Sequence, residues 1–322
     1  AYEIMPSLVG SEMCIRDSYG LHAYLAGENL IKNNIFNRVV EDKYSYTDTA
    51  CIYLERSNNF TVNKNDISNS SGSGIYIYDW SEDGNHKIIS NSIWNNTGYG
   101  IYNMRSNRNE FKWNYIHENE GYGGIFLKWA ENCTVKRNTI SDNKNNGIYL
   151  SGSSLGAGYN RIIKNVVTNN QGTGIVLWDV ENTYVGFNEL YHNSGGIHFE
   201  DEAKDNTAEG NIIKRDENND TTWDIFFDPA GVNNTVKENV LGEDKWMSWG
   251  DMPAVNISLY NPENGYIRVR SVKEPPENPA PPEYSFKATN ISAFVEISCW
   301  SDDASIELWF HYTDKQLELG SG

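Results

Sequence analysis

The stretch Asn138-Thr139-Ile140-Ser141-Asp142-Asn143-Lys144-Asn145-Asn146-Gly147-Ile148-Tyr149-Leu150 decides how this chain folds, because copies of it recur in both directions. Its Gly-Ile pair returns as Gly74-Ile75, Gly100-Ile101, Gly124-Ile125, Gly174-Ile175 and Gly196-Ile197. Weaker copies stand at Gly20-Leu21, Cys51-Ile52 and Asp224-Ile225. From Ile52 to Ile225, successive anchors lie 23, 26, 24, 23, 27, 22 and 28 residues apart. The opening Asn keeps step. Asn33, Asn65, Asn91, Asn114, Asn138, Asn165, Asn188, Asn211 and Asn239 each precede an Ile, Val or Leu by two residues. A third mark, three residues after that apolar residue, holds Ser70, Asn96, Asn119, Asn143, Asn170 and Asn193.

A unit of this length fits three short strands and three turns, each strand alternating one face inward and one outward. One unit cannot bury its apolar face alone, whereas stacked units share a continuous core of Ile, Val and Leu. Asn tolerates the left-handed region at a tight bend, and Asn side chains stacked in register hydrogen-bond from unit to unit. Gly permits bends that a Cβ would obstruct. The pattern predicts an all-β chain, a right-handed parallel β-helix of about nine coils, a rod about 43 Å long. The L-x-x-L-x-L signature of leucine-rich repeats is absent, and the period is too short for propeller blades.

The Asn-x-Ile-x-x-Asn segment followed by Gly-Ile-Tyr-Leu, at Asn138 to Leu150, resembles the pectin-lyase-like β-helix superfamily. Within it the repeat is most similar to NosD-like proteins, also described as carbohydrate-binding and sugar-hydrolysis (CASH) repeats, over residues 20–245. The resemblance implies the fold and an extracellular or cell-surface, carbohydrate-related role. It does not select an activity, since the same repeat serves lyases, hydrolases, epimerases and non-catalytic surface proteins.

Residues 1–18 resemble a translated transposase-type sequencing adapter and are expected to be non-native, so they are set aside from fold reasoning. The β-helix is expected over 19–250 and a second segment over 251–322. In that segment, alternation at Val255, Ile257 and Leu259 and at Ile306, Leu308 and Phe310 reads as strands, with a Pro-rich linker or loop at 273–283. The run Ala304 to Asp314 resembles β-sandwich modules that follow β-helices in archaeal surface proteins. The segment is therefore expected to be a β-sandwich-like module cut short at Gly322, with a small β cap as the alternative.

The chain carries 44 acidic and 26 basic residues, a formal charge of -18. Such a balance repels phosphate backbones and anionic membranes, which argues against nucleic-acid and lipid partners. No apolar run is long enough to span a bilayer. Setting Cys14 aside with the adapter-like start, Cys51, Cys133 and Cys299 form neither a disulfide framework nor a metal-binding pair. Eight Asn-x-Ser/Thr triplets permit an extracellular location.

The register of the repeat predicts two outward columns along one sheet. The first reads His22, Tyr53, Tyr76, Tyr102, Phe126, Tyr149, Val176, His198, Phe226; the second reads Tyr24, Glu55, Tyr78, Met104, Lys128, Ser151, Trp178, Glu200, Asp228. Tyr53, Tyr76, Tyr78, Tyr102, Phe126, Tyr149 and Trp178 are the candidate carbohydrate-binding residues, since rings stack on the apolar faces of sugars. A ladder of cross-strand aromatic contacts is the alternative. Glu200, Asp228, Asp179 and His198 are the catalytic candidates. Adjacent coils bring Glu200 and Asp228 within the range of paired carboxylates, one held protonated and the other acting as base. A solvated acidic patch is the plainer reading. Carboxylates there would suit Ca²⁺, although no Asp-rich loop motif supports it. The NosD-like resemblance implies copper handling, yet the six histidines form no His-x-His or Met-rich cluster. No cofactor and no metal ligands are therefore expected.

Three functions remain open at this point. One is a surface β-helix that binds a polysaccharide or other glycan along its aromatic face without demonstrated catalysis. Another is a polysaccharide lyase, glycoside hydrolase or epimerase using Glu200 and Asp228. The third is a structural spacer in a cell envelope, with envelope partners.

Overall fold

The computed structural model describes residues 19–40, 49–79, 84–121, 123–152, 157–215, 223–228, 231, 233–237, 239–243, 255–260, 266–272, 294–300 and 306–310. The adapter-like 1–18, the Pro-rich 273–283 and His311 lie outside them. Three strands follow one another per coil, and strands of the same kind pair in parallel with those of the coils before and after. The first sheet takes Tyr19–Tyr24, Ala50–Glu55, Ser73–Tyr78, Ile101–Met104, Gly123–Lys128, Asn146–Ser151, Thr173–Trp178, Gly195–Glu200 and Ile225–Phe227. The second and third sheets take mostly three-residue strands, such as Thr134–Lys136 and Thr139–Ser141. The third sheet has nine strands, all parallel. The fold is a right-handed parallel β-helix, the hand that strand crossovers adopt, and no helix occurs among the described residues.

Alternation accounts for the core. The central residue of each three-residue strand in the second and third sheets points inward, so Val62, Ile88, Phe111, Val135 and Ile162 stack down the second sheet without exposure to solvent. Ile67, Ile93, Ile116 and Ile140 do the same on the third, and pairs such as Ile148 and Leu150 on the first. Asn103 takes an inward position instead of an aliphatic residue. Its Nδ2 donates to the Ser106 carbonyl at 2.8 Å and its Oδ1 accepts from Asn109 Nδ2 at 2.9 Å, so the buried amide is satisfied.

The Asn marks form ladders between coils. Asn138 Nδ2 donates to Asn165 Oδ1 at 3.0 Å and to the Phe111 carbonyl at 2.9 Å, and the link repeats at neighbouring coils. The Ser70–Asn193 marks form a second ladder, as in Asn143 Nδ2 to Asn170 Oδ1 at 2.8 Å. In the first coil the ladder residue is Asn34, not Asn33. Asn34 donates to Asn65 Oδ1 from Nδ2 at 3.1 Å, while Asn33 has φ 58° and Ile35 is 78% exposed. Left-handed backbone falls on the residue before each ladder Asn up to Asn211, as at Lys64, Ser90, Trp113, Arg137 and Lys164. The ladder Asn itself is kept for its amide. Gly147 likewise serves close approach, not a left-handed bend. A Cβ there would lie 2.2 Å from Val167 Cγ1 and 2.7 Å from the Gly174 carbonyl oxygen.

Beyond the last parallel strands, Val255–Tyr260 and Tyr266–Val272 pair antiparallel with Thr235–Lys237 and Ile225–Phe227. Ile306–Phe310 and Phe294–Trp300 pair antiparallel with those in turn. The C-terminal strands thus continue two of the helix's own sheets.

Candidate functional site

The parallel register sets the two outward columns of the first sheet. Tyr53, Tyr76, Tyr102, Phe126 and Tyr149 are successive partners, followed by Val176, His198 and Phe226. Their rings stack face on face. Centroids are 4.8 Å apart from Tyr53 to Tyr76 and from Tyr76 to Tyr102, 5.2 Å from Tyr102 to Phe126 and 4.9 Å from Phe126 to Tyr149. Coil spacing matches ring-stacking distance, so each ring covers its neighbour's face. Tyr53, Tyr76, Tyr102 and Phe126 are at most 9% exposed. These four rings thus form the ladder of cross-strand contacts given above as the alternative, with their faces taken up within it. Tyr78 and Trp178, in the second column, are half-buried, and so is Tyr149.

The second column changes character along its length. Lys128 is followed by Ser151, which is buried, then Trp178 and Glu200, in register. Around Glu200 the acidic candidates gather. His198 Nε2 lies 3.3 Å from Asp228 Oδ1, and its Nδ1 lies 3.8 Å from Glu200 Oε2. Each nitrogen of one imidazole therefore faces one carboxylate, and the ring is held by stacking on Phe226 at 4.5 Å. The second Asp228 oxygen accepts from the Asp201 backbone N–H at 3.2 Å. Asp179 joins through its backbone, donating to the Glu200 carbonyl at 3.0 Å from a left-handed turn.

Burial pushes the Glu200 carboxyl above the usual carboxylate range. His198 draws it partly back, and the charges of Asp228 and Asp201 push it further up. Burial raises Asp179 too, with Glu202 and Asp201 adding to it and Lys204 opposing. His198 thus contacts both carboxylates, and the charge of Asp228 acts on the Glu200 carboxyl. A His flanked in this way can take up a proton and be oriented by a carboxylate, the arrangement of general acid–base chemistry. Among the described residues, no group of three or more His, Cys, Asp or Glu side chains is arranged to hold a metal ion.

Two further surface groups stand apart from the predicted residues. At the edge of the first sheet, Arg105 Cζ lies 4.8 Å and Lys128 Nζ 4.4 Å from the centre of the Trp129 ring. On the third sheet, His117 stacks with Tyr115 at 4.3 Å and with Trp94 at 5.9 Å, and Trp94 Nε1 donates to Asp66 Oδ1 at 2.8 Å. The only sequence signal for this second group is the alternation of Trp113, Tyr115 and His117, which the stronger Gly-Ile repeat overshadows.

Fold and site define a β-solenoid with an ionisable cluster on the outside of one sheet. The chain belongs to the right-handed β-helix family, whose profile matches residues 11–116, 50–213 and 124–245. Among solved structures it is similar to the A-module of mannuronan C-5 epimerase AlgE4 of Azotobacter vinelandii. The TM-score is 0.51 and the identity 15%, over 68% of this chain and 72% of that one. The periplasmic alginate epimerase AlgG is similar at TM-score 0.48 and 17% identity, over 59% of this chain and 46% of that one. The surface protein and adhesin PfbA of Streptococcus pneumoniae gives 0.47 and 16%, over 68% and 64%. The chain thus spans less than half of AlgG and under two thirds of PfbA. At these identities the likeness is one of fold. No curated protein matches the chain. No helix among the described residues is long and apolar enough to cross a membrane.

Proposed function

We propose that this chain is an extracellular or cell-surface β-helix protein that binds polysaccharide along the outside of its first sheet, in the coils around Trp178, Glu200 and Asp228. One observation carries the reading. Trp178, a half-buried ring outside the stacked ladder, is the register partner of Glu200, which His198 links to Asp228. A ring to lie against a sugar's apolar face, beside groups that bond hydroxyls, is the composition such a site needs. The name of one fold neighbour, a mannuronan epimerase module, agrees with a carbohydrate role. So does the NosD-like character of the repeat. Residues 251–322 are read as a β-sandwich-like module that carries envelope contacts. Affinity electrophoresis against a polysaccharide panel tests the reading. Retention by at least one polymer, weakened roughly tenfold by Trp178→Ala, a loss of about 1.4 kcal/mol, is expected. No retention, or retention indifferent to Trp178→Ala with the fold intact, would overturn it.

A second reading, polysaccharide cleavage or epimerisation, is favoured by the His198–Asp228 contact and the raised Glu200 carboxyl. It predicts new reducing ends, unsaturated uronates or altered uronate stereochemistry on one polymer, lost in His198→Ala. Negative results across the panel would leave binding as the function.

A further inference from the structure

We infer that the outside of the second sheet and the turn that follows it, from Lys87 to Lys164, form a docking strip for a linear glycan that carries sulfate or phosphate esters. The strip lies on a different face from the first-sheet site and does not depend on the reading proposed for that site.

Register sets the strip. Each three-residue strand of the second sheet turns its first and third residues outward, and one left-handed residue follows in the turn. In the four coils that begin with Lys87, those positions bring Lys87, Lys112, Lys136 and Arg161 onto the strands and Arg137 and Lys164 into the turn. Glu110 is the one acid among them. Lys32 and Lys64 extend the series into the two coils before. Coils follow one another at the strand spacing, so the cations from Lys87 to Lys164 recur along about 14 Å of the rod.

These charges are left without counter-charges. Glu110 pairs with Lys112 of its own strand at 2.8 Å. Lys87, Lys136, Arg137, Arg161 and Lys164 pair with no carboxylate among the described residues. Arg137 lies 6.0 Å from the centre of the Trp113 ring and Arg161 5.6 Å from that of Tyr184. Lysines elsewhere on the rod behave differently. Lys204 reaches Glu181 of the coil before at 2.9 Å, Lys237 reaches Glu209 at 3.3 Å, and Lys144 reaches Glu120. The chain as a whole carries a charge of -18, so a basic strip free of acids is a local departure from its composition. Neighbouring like charges repel, and an anion lying across them removes that repulsion.

The side chains select the class of anion. Most heads are Lys, point charges that impose no planar geometry and suit the tetrahedral oxygens of sulfate or phosphate, while the planar forks of both Arg residues lie over rings. Trp113 and Phe187, each 51% exposed, stand in the same turn column on either side of Arg137 and Lys164. They offer rings to sugar faces at the two ends of that cationic pair. Broader partners fit less well. Glu131 precedes the second sheet, and Glu118 and Asp142 follow the third. A bilayer or a duplex covering this side of the rod meets those acids, whereas a single chain stays within the strip, and charges beyond about 8 Å are screened. A single nucleic-acid strand stacks successive bases on rings, and here Arg137 and Lys164 separate Trp113 from Phe187.

The test compares dextran with dextran sulfate, dextran phosphate and carboxymethyl-dextran, which share one backbone. The full chain is expected to bind the sulfated or the phosphorylated form roughly tenfold more tightly than dextran, the scale of local charge focusing, and more tightly than the carboxymethyl form. The stronger of the two ester arms identifies the group held. Combined Lys136→Gln, Arg137→Gln and Lys164→Gln should bring the ratio to dextran close to one, while Lys136→Arg with Lys164→Arg should preserve most of it. No preference for either ester, or a preference unmoved by the triple substitution in a protein with an unchanged unfolding midpoint, overturns the inference. So does equal or tighter binding of carboxymethyl-dextran, of phosphatidylcholine–phosphatidylglycerol vesicles or of an oligo-dT strand through the same three residues. A neutral polymer held by the first sheet should be retained equally by the parent chain and the triple variant, and its loss in Trp178→Ala bears on the first-sheet reading alone.

Discussion

Asn138 Oδ1 accepts from both the backbone N–H and the Nδ2 of Asn114, at 2.9 and 3.0 Å, so a single amide ties two coils. Its own Nδ2 serves the Phe111 carbonyl. Asn138→Ala strips partners from at least two buried groups. At roughly 1–3 kcal/mol for each orphaned group, stability should fall by about 2–6 kcal/mol. Urea unfolding would register this as a lower midpoint at an unchanged slope. An effect below about 0.5 kcal/mol would mean that the ladder is incidental.

Phe126 is buried between the rings of Tyr102 and Tyr149. Phe126→Ala is expected to cost about 3–5 kcal/mol, as for other large buried rings. Phe126→Tyr reproduces the residue found at neighbouring rungs and should cost under about 1 kcal/mol. Thermal and urea unfolding of the two variants checks the pair. A ladder that served only as a ligand surface would lose binding with Ala and keep its stability.

His86 is fully buried, and its Nδ1 accepts from the Phe60 backbone N–H at 3.2 Å. Burial lowers its pKa from 6.5 to about 4. The unfolded chain therefore binds the proton first as pH falls. Stability present above pH 6.5 is lost progressively down to about pH 4, by roughly 3 kcal/mol from this residue. His86 occupies the same turn position as Asn109 and Asn160. His86→Asn should therefore fold and show a flatter stability profile between pH 6.5 and 4. An unchanged acid profile would contradict this.

Glu200 has a raised folded-state pKa, caused first by burial. A carboxyl raised in this way favours folding while it is protonated, and that stability is lost as pH rises through the folded pKa. Glu200→Gln should raise the unfolding midpoint at pH 7, with the gain shrinking towards pH 4. If the variant is less stable at pH 7, the site does not hold its charge at a cost.

Most of the fold was legible because its causes are local. The spacing of Gly147, Ile148 and Asn138 and their copies follows from a strand of fixed pitch and a turn of fixed size. A third ladder has no clear mark in the sequence. Asn206 Nδ2 donates to Asn234 Oδ1 at 3.0 Å and the Thr183 N–H donates to Asn206 Oδ1 at 2.9 Å, but Phe60, His86, Cys133 and Thr183 interrupt its period. In the first coil, two adjacent asparagines offer the same pattern, and the structure shifts the register by one residue, with Asn33 left-handed and Asn34 in the ladder.

By itself the sequence determined the coil, its inward and outward faces, and the two columns that hold every candidate residue but Asp179, because alternation and turn chemistry act within a few residues. Only the tertiary structure decided what those columns present. The distance between coils equals the stacking distance of rings, so Tyr53, Tyr76, Tyr102 and Phe126 close on one another. The same spacing brings His198 to Asp228 of the next coil and Arg105 onto Trp129. These are contacts between residues some 20–30 positions apart, and no local pattern records which of them remain open to a ligand.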